Sequence, residues 1–157
     1  MTTAGATLEG KRHEFITGSD AETIAVGREL AALLATPQLL LLTGDLGTGK
    51  TTLVKGIAQA LDAAEPDEVT SPTFTLLHEY DGLRNGKSIK LFHLDLYRLE
   101  GERQLDTLGL DELLTDDALV LIEWGEKFKS LIKKSTGSIR ITSSGGDQRT
   151  IAVSLKG

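Results

Sequence analysis

The feature that most constrains the fold of this 157-residue chain is a glycine-rich stretch, GDLGTGKT, at residues 44–51. It satisfies the pattern G-x4-G-K-[ST], in which a loop of backbone N–H groups surrounds phosphate. An apolar run at residues 38–43 precedes it, and apolar residues recur at helical spacing from residue 53 onward. Since phosphate binding by such a loop requires the order strand, loop and helix, this context predicts a P-loop in an α/β fold.

Each part of the loop has a predicted task. Its three glycines allow backbone angles closed to other residues, and its successive N–H groups form an anion nest at a helix N-terminus. Lys50 is predicted to reach the β- and γ-phosphates, Thr51 to offer a hydroxyl to Mg²⁺, and Thr52 to bond the α-phosphate. The predicted nucleotide-binding residues are Asp45, Leu46, Gly47, Thr48, Gly49, Lys50, Thr51 and Thr52.

The remaining pattern predicts the other elements of the same fold. Strands are predicted at residues 74–80 and 88–99 with a turn-rich hairpin between them, and a second hairpin around residues 145–148. The predicted fold class is α/β: a P-loop NTPase-like sandwich with a central mixed, mostly parallel sheet, flanking helices and added antiparallel strands. One domain is expected over residues 1–157, with residues 1–12 as a disordered or extended tail.

Glu123 is the first candidate for the metal side of the site. It follows the apolar run at residues 118–122, so it is expected at the carboxyl end of a buried strand, where ligands bind in open α/β sheets. An ordinary exposed acid at a strand end is an equally good interpretation of the residues alone. The neighbouring Trp124 is interpreted most simply as a packing residue.

Asp95 is the second candidate carboxylate. Alternation along its strand places Asp95 on one face with His93 and Tyr97, a polar set in an otherwise apolar segment. On the residues alone, the better interpretation of Asp95 is an acid paired with Arg98 or Lys90. His93 is interpreted as a hydrogen-bonded structural histidine.

A third feature is the hydroxyl pair of Ser71 and Thr73, which flank Pro72 after the predicted P-loop helix. Proline fixes φ and stiffens the loop. Loops in this position sense γ-phosphate and Mg²⁺ in many nucleotide-driven switches. On the residues alone, a plain turn between helix and strand remains the favoured alternative.

The composition restricts the partners that we expect. A formal net charge of −6 argues against a stand-alone nucleic-acid binder, DNA included. The sequence holds no cysteine, begins without the apolar run of a signal peptide, and has no apolar run long enough to span a bilayer. We therefore expect a cytoplasmic protein without a membrane partner.

Four segments in this order resemble the TsaE family: GDLGTGKTT, SPTFTLLHEY, FHLDLYRL and IEWGEKF. These are bacterial ATPases required to make threonylcarbamoyladenosine in tRNA. The resemblance covers about residues 19–128, and the second and third segments are far more specific than the P-loop. The residue after Trp124 is often proline in the family and is Gly125 here, a position that we interpret as a loop.

The resemblance implies roles for the candidate residues. Lys50 and the loop amides would hold ATP, while Thr51 and Glu123 would bind Mg²⁺. Asp95 would act near the metal or the attacking water, so the implied catalytic residues are Lys50, Asp95 and Glu123. The division of labour between the two carboxylates stays open.

The resemblance also implies a place in a larger assembly. Ser71 and Thr73 would form a switch-like loop that reports the nucleotide state. The ATPase would dock on a TsaD–TsaB complex and reset it between rounds of modification, meeting tRNA only through that complex. Its intrinsic rate would be weak and raised by partners.

Two other functions stay open. A small-molecule or nucleoside kinase could carry the same P-loop, but its lid arginines have no counterpart in residues 61–74. A nucleotide-dependent assembly switch without turnover is the second alternative.

Overall fold

The computed structural model describes residues 12–45, 48–72 and 75–156. Its strands in chain order are β1 (Arg12–Thr17), β2 (Gln38–Thr43), β3 (Leu77–Arg84), β4 (Lys87–Asp95), β5 (Ala118–Glu123), β6 (Gly137–Gly145) and β7 (Gln148–Leu155). Its helices are α1 (Asp20–Leu33), α2 (Lys50–Ala60), α3 (Glu102–Asp106), α4 (Leu110–Leu113) and α5 (Lys129–Lys134), with short 3-10 turns at Pro66–Glu68 and Gly125–Lys127.

Within these residues the strands form a seven-stranded mixed sheet with the order β1-β7-β6-β2-β5-β4-β3. The four central strands, β6, β2, β5 and β4, run parallel to one another. The outer strands β3, β7 and β1 are added in antiparallel pairings. This confirms the predicted α/β class with a parallel centre and antiparallel additions.

The sheet is covered on both faces, and β2 shows how. Its side chains alternate, so Leu40 and Leu42 belong to the core beneath α1 and α2. Leu39 and Leu41 belong to the opposite core, which α3, α4 and α5 help to close. A strand buried on both faces must be apolar at every position, which is why a continuous leucine run predicted it correctly.

The described helices are short relative to a bilayer. No helix among residues 12–45, 48–72 and 75–156 is long and apolar enough to cross a membrane.

β1 is a strand that the sequence analysis did not anticipate. Arg12, assigned to the N-terminal tail, is its first residue, and residues 1–11 lie outside the described part of the chain. β1 is an edge strand that pairs only with β7 in the described sheet, and most of its side chains remain exposed or half-buried. It therefore lacks the apolar pattern that identifies buried strands.

The first hairpin also differs in its limits. Its strands extend to Arg84 and Lys87, and the turn is the pair Asn85-Gly86, both with positive φ as a two-residue turn requires. The second strand ends at Asp95 rather than at Leu99. The predicted start at residue 74 lies outside the described residues, and β3 begins at Leu77.

Candidate functional site

A cavity of about 820 Å³ opens at the carboxyl ends of the central strands. Its wall unites residues predicted from four separate segments of the sequence: Gly49, Lys50, Thr51, Thr52, Ser71, Asp95 and Glu123. The register explains this, because Asp95 of β4 pairs with Glu123 of β5, and Glu123 in turn pairs with Leu42 of β2, just before the glycine loop. The carboxyl ends of neighbouring strands thus bring the two carboxylates and the glycine loop together at one edge of the sheet.

The glycine loop leads directly into α2. Gly49 is the N-cap residue with φ of 105°, a conformation that favours glycine, and no side chain of the described residues caps this helix. Thr48 is fixed just before it, since its hydroxyl and its N–H both donate to the carbonyl of Asp45, at 2.7 and 3.2 Å. The first N–H groups of α2 are therefore available to an anion. Leu46 and Gly47 lie outside the described residues.

Lys50 is a buried cation, with only 9% of its surface exposed. Its Nζ donates to the carbonyl of Gly44 at 2.7 Å and lies 3.4 Å from Oε1 of Glu123. A buried charge persists only when paired and hydrogen-bonded, and Lys50 satisfies both conditions. Its ammonium is thereby held at the start of α2, facing the cavity.

Glu123 is buried, so the alternative of an exposed strand-end acid is wrong. Its Oε2 accepts a hydrogen bond of 2.6 Å from Nε2 of His93, which confirms His93 as a hydrogen-bonded histidine. Burial by itself raises the pKa of Glu123, but the His93 hydrogen bond and the charge of Lys50 outweigh it and lower the pKa below the usual value. The site therefore holds an ionised carboxylate.

Asp95 is also buried, with 5% of its surface exposed, and it lines the cavity. Its Oδ1 accepts a hydrogen bond of 2.9 Å from the backbone N–H of Tyr97. Lys90, one proposed partner of Asp95, instead donates to Asp81 at 2.8 Å and Glu79 at 3.3 Å across the β3–β4 hairpin. That pairing was wrong, because Lys90 is engaged with the neighbouring strand.

The segment predicted as a switch is described only in part. Ser71 is exposed and lines the cavity, while Pro72 beside it is buried. Thr73 lies outside the described residues. Ser71 thus contributes to the wall of the same cavity as Asp95 and Glu123.

Trp124, interpreted from the sequence as a packing residue, also lines the cavity, which the sequence analysis did not anticipate. Its side chain is 36% exposed, lines the cavity, and meets the ring of Tyr97 edge-on at 5.0 Å between centroids. The Lys50 ammonium lies 5.8 Å from its ring centroid. Its φ of 64° is costly for a bulky residue, and such strain clusters at functional sites. The available signal was its place directly after Glu123.

Gly125, interpreted as a loop position, lies in a turn that packs closely on the sheet. It is buried at the start of a 3-10 turn. A Cβ there would lie 2.7 Å from Cδ2 of Leu41 and 3.0 Å from Cγ2 of Ile122. In this chain the turn after Trp124 therefore packs directly on the sheet, and any larger residue at 125 would need those side chains to move.

Arg149 was missed as well, together with Asp147 and Asp20, all of which line the cavity. Arg149 lies in the terminal β6–β7 hairpin, and its Nε donates to the carbonyl of Thr48 at 3.0 Å. The two residues are 101 positions apart, so spacing gave no signal. Only the return of β7 beside β6 brings the arginine to the loop.

Comparisons with known proteins agree with this geometry. The family described as threonylcarbamoyl adenosine biosynthesis protein TsaE matches residues 17–151. The tRNA threonylcarbamoyladenosine biosynthesis protein TsaE of Bacillus subtilis (strain 168) is 35% identical over 147 residues, 94% of this chain and 88% of that protein. The protein of the same name from Aquifex aeolicus (strain VF5) is 37% identical over 116 residues, 74% of this chain and 79% of its own length. The crystal structure of Bacillus subtilis YdiB superposes with a TM-score of 0.67 at 32% identity, covering 94% of this chain and 87% of that one.

Proposed function

The chain belongs to the TsaE family and takes part in threonylcarbamoyladenosine biosynthesis in tRNA, and on that premise we propose that it is a magnesium-dependent ATPase. The observation that carries the proposal is the buried pair of Lys50 and Glu123, 3.4 Å apart at the start of α2. A cation and a carboxylate at this point are the groups that phosphate and metal require.

The phosphate groups of ATP fit the P-loop side of the cavity. A volume of about 820 Å³ is in the usual range for a small-molecule site. The amides from Gly49 to Thr52 and the ammonium of Lys50 would hold the phosphates. Lys50 now donates to the Gly44 carbonyl, a bond that a phosphate oxygen would replace with a charged acceptor.

Magnesium fits the same cavity, beside the residues that would hold the phosphates. Thr51, Asp95 and Glu123 supply the hydroxyl and carboxylate oxygens that this ion prefers. The described residues hold no cluster of three or more His, Cys, Asp or Glu side chains that would hold a metal alone, so phosphate oxygens are the expected remaining ligands. When bound, the ion would neutralise charge that develops on the transferred phosphate.

The protein's own contribution to hydrolysis is positioning and charge. Lys50 and the α2 amides stabilise negative charge where it develops. Asp95 and Glu123 are the two groups able to orient a water or accept its proton, and His93 fixes the direction of Glu123. The pair of carboxylates at one sheet edge supports hydrolysis as the reaction.

The proposal extends to partners. We infer that the ATPase binds a TsaD–TsaB complex in the cytoplasm and resets it, with tRNA reached only through that complex. Tyr97, 58% exposed at the rim of the cavity, offers a surface for such contact beside the nucleotide. A net charge of −6 suits a protein partner better than direct contact with RNA.

A pull-down with TsaD and TsaB, with and without ATP, tests the partner proposal. We expect capture that depends on ATP in the wild type and is lost in Lys50→Ala. Absence of capture in both conditions would count against the assignment.

Two further experiments test the alternative functions. Labelled ATP is offered with small-molecule and nucleoside acceptors, and transfer of the label to an acceptor rather than to water would indicate a kinase. A Glu123→Ala variant that binds ATP and still supports tRNA modification fully would indicate a switch without turnover.

A further inference from the structure

The terminal β6–β7 hairpin contacts the glycine loop through Arg149, whose Nε donates to the carbonyl of Thr48. We infer that Arg149 is a positioning residue for nucleotide binding, because it fixes the peptide between Thr48 and Gly49. This inference rests on the proposed function of the same cavity.

The guanidinium is itself held in place. Its Nη1 donates to the carbonyls of Gly146 at 2.7 Å and Gln148 at 3.0 Å, within the turn of its own hairpin. Nε then donates to the Thr48 carbonyl at 3.0 Å. Because the planar guanidinium presents its donors in a rigid fork, anchoring Nη1 fixes the direction in which Nε points.

The bond acts on the phosphate side through the peptide plane. In a planar trans peptide, the C=O of one residue and the N–H of the next point in opposite directions. Holding the Thr48 carbonyl toward Arg149 therefore turns the Gly49 N–H away from the hairpin. Gly49 lines the cavity at the start of α2, so this amide belongs to the anion-binding nest.

The same hairpin approaches the loop at a second point. A Cβ on Gly44 would lie 2.4 Å from the carbonyl oxygen of Ile141 in β6. The start of the loop thus lies directly against the β6 backbone, while Arg149 of β7 reaches the loop's last turn. Two contacts from one hairpin therefore fix the loop near its start and near its end.

Arg84 provides a matched control. It too lies in a strand and donates from Nη1 to backbone carbonyls, those of Ala31 and Leu34. It does not line the cavity. Arg84→Ala therefore removes comparable hydrogen bonds from an arginine to backbone carbonyls, those of Ala31 and Leu34, without affecting the glycine loop.

The test measures two quantities in the wild type, Arg149→Ala, Arg149→Lys and Arg84→Ala. The first is the ¹H–¹⁵N resonance of the Gly49 amide without nucleotide, and the second is ATP affinity by calorimetry. We expect Arg149→Ala to shift the Gly49 amide and to weaken ATP binding about ten-fold, the scale of one hydrogen bond to a charged group. Arg149→Lys should behave like Arg149→Ala, since lysine keeps the charge but loses the fork. Arg84→Ala should change neither quantity.

Unchanged Gly49 resonance and affinity in Arg149→Ala, or full affinity in Arg149→Lys, would overturn the positioning role. A wild-type protein that binds no ATP would refute the proposed function instead, and the Gly49 resonance would still report whether Arg149 fixes the loop.

Discussion

His93 donates a hydrogen bond of 2.6 Å from Nε2 to Oε2 of Glu123, between neighbouring parallel strands. The other oxygen of Glu123 is left toward Lys50 at 3.4 Å. His93 is fully buried, and its Nδ1 has no hydrogen-bond partner among the described residues. Within the described residues, the side chain of His93 therefore hydrogen-bonds only to Glu123. This bond holds the Glu123 carboxylate in one orientation toward the cavity.

Two substitutions of His93 distinguish the effect of its hydrogen bond from the effect of its side-chain volume. We expect His93→Leu to lower ATP hydrolysis about 10- to 100-fold, the range typical of groups that orient a metal-binding residue. It should also cost about 1–3 kcal/mol of stability, because Oε2 is left buried without a donor. His93→Gln, which restores an N–H at a similar position, should recover most of both. Phosphate release and urea unfolding measure the two effects, and a wild-type rate in His93→Leu would contradict this role.

The lowered pKa of Glu123 gives a signed prediction for pH. Because the folded protein holds this proton less readily than the unfolded chain, Glu123 contributes its full stabilisation above the usual value of 4.5 and loses it as pH falls through the lowered pKa. The stability difference between wild type and Glu123→Gln should therefore shrink below about pH 4.5. Urea unfolding from pH 7 to 3 measures it, with the exposed Glu29→Gln as control. Parallel curves for wild type and Glu123→Gln would show that the carboxylate is not stabilised by its neighbours.

Trp124 should report nucleotide binding directly, since it is the only tryptophan in the sequence and lines the cavity. Lys50, 5.8 Å from its ring, should turn toward phosphate when ATP binds, which changes the field at the indole. We expect a saturable change in fluorescence on titration with MgATP and a much weaker response in Lys50→Ala. Constant emission during binding that calorimetry detects would place the nucleotide away from Trp124.

The contact between α1 and α2 depends on small residues. A Cβ on Gly56 would lie 2.0 Å from the carbonyl oxygen of Ile24. Although alanine is the better helix former by about 1 kcal/mol, Gly56→Ala should destabilise the protein by about 1–3 kcal/mol because the helices must separate. Gly18→Ala, at an exposed position before α1, should stay within about 0.5 kcal/mol of wild type. A neutral Gly56→Ala in urea unfolding would mean that the helices can move apart freely.

The parts of the fold that sequence predicted well are those where one physical requirement dominates. A strand buried on both faces must be apolar throughout, so β2 and β5 were evident. A phosphate-binding loop must follow such a strand and precede a helix. This requirement predicted that Lys50 and Thr51 lie at the start of α2. Glu123 followed because it ends a buried strand.

The parts that sequence did not predict depend on pairing between distant segments. β1 is stabilised by β7 at an exposed edge, so its own residues carry little pattern. Arg149 reaches Thr48 only after the terminal hairpin has formed. Trp124 has a positive φ and lines the cavity. The residue type alone does not predict this backbone conformation, because tryptophan is more often found in cores.

The most direct test of the central claim is phosphate release from MgATP, measured for the purified protein alone and with TsaD–TsaB. We predict slow release alone, a marked increase with the complex, and loss of both in Lys50→Ala, which removes the buried cation paired with Glu123. Release no greater than that of Lys50→Ala in either condition, or full-speed hydrolysis that ignores TsaD–TsaB, would contradict the account.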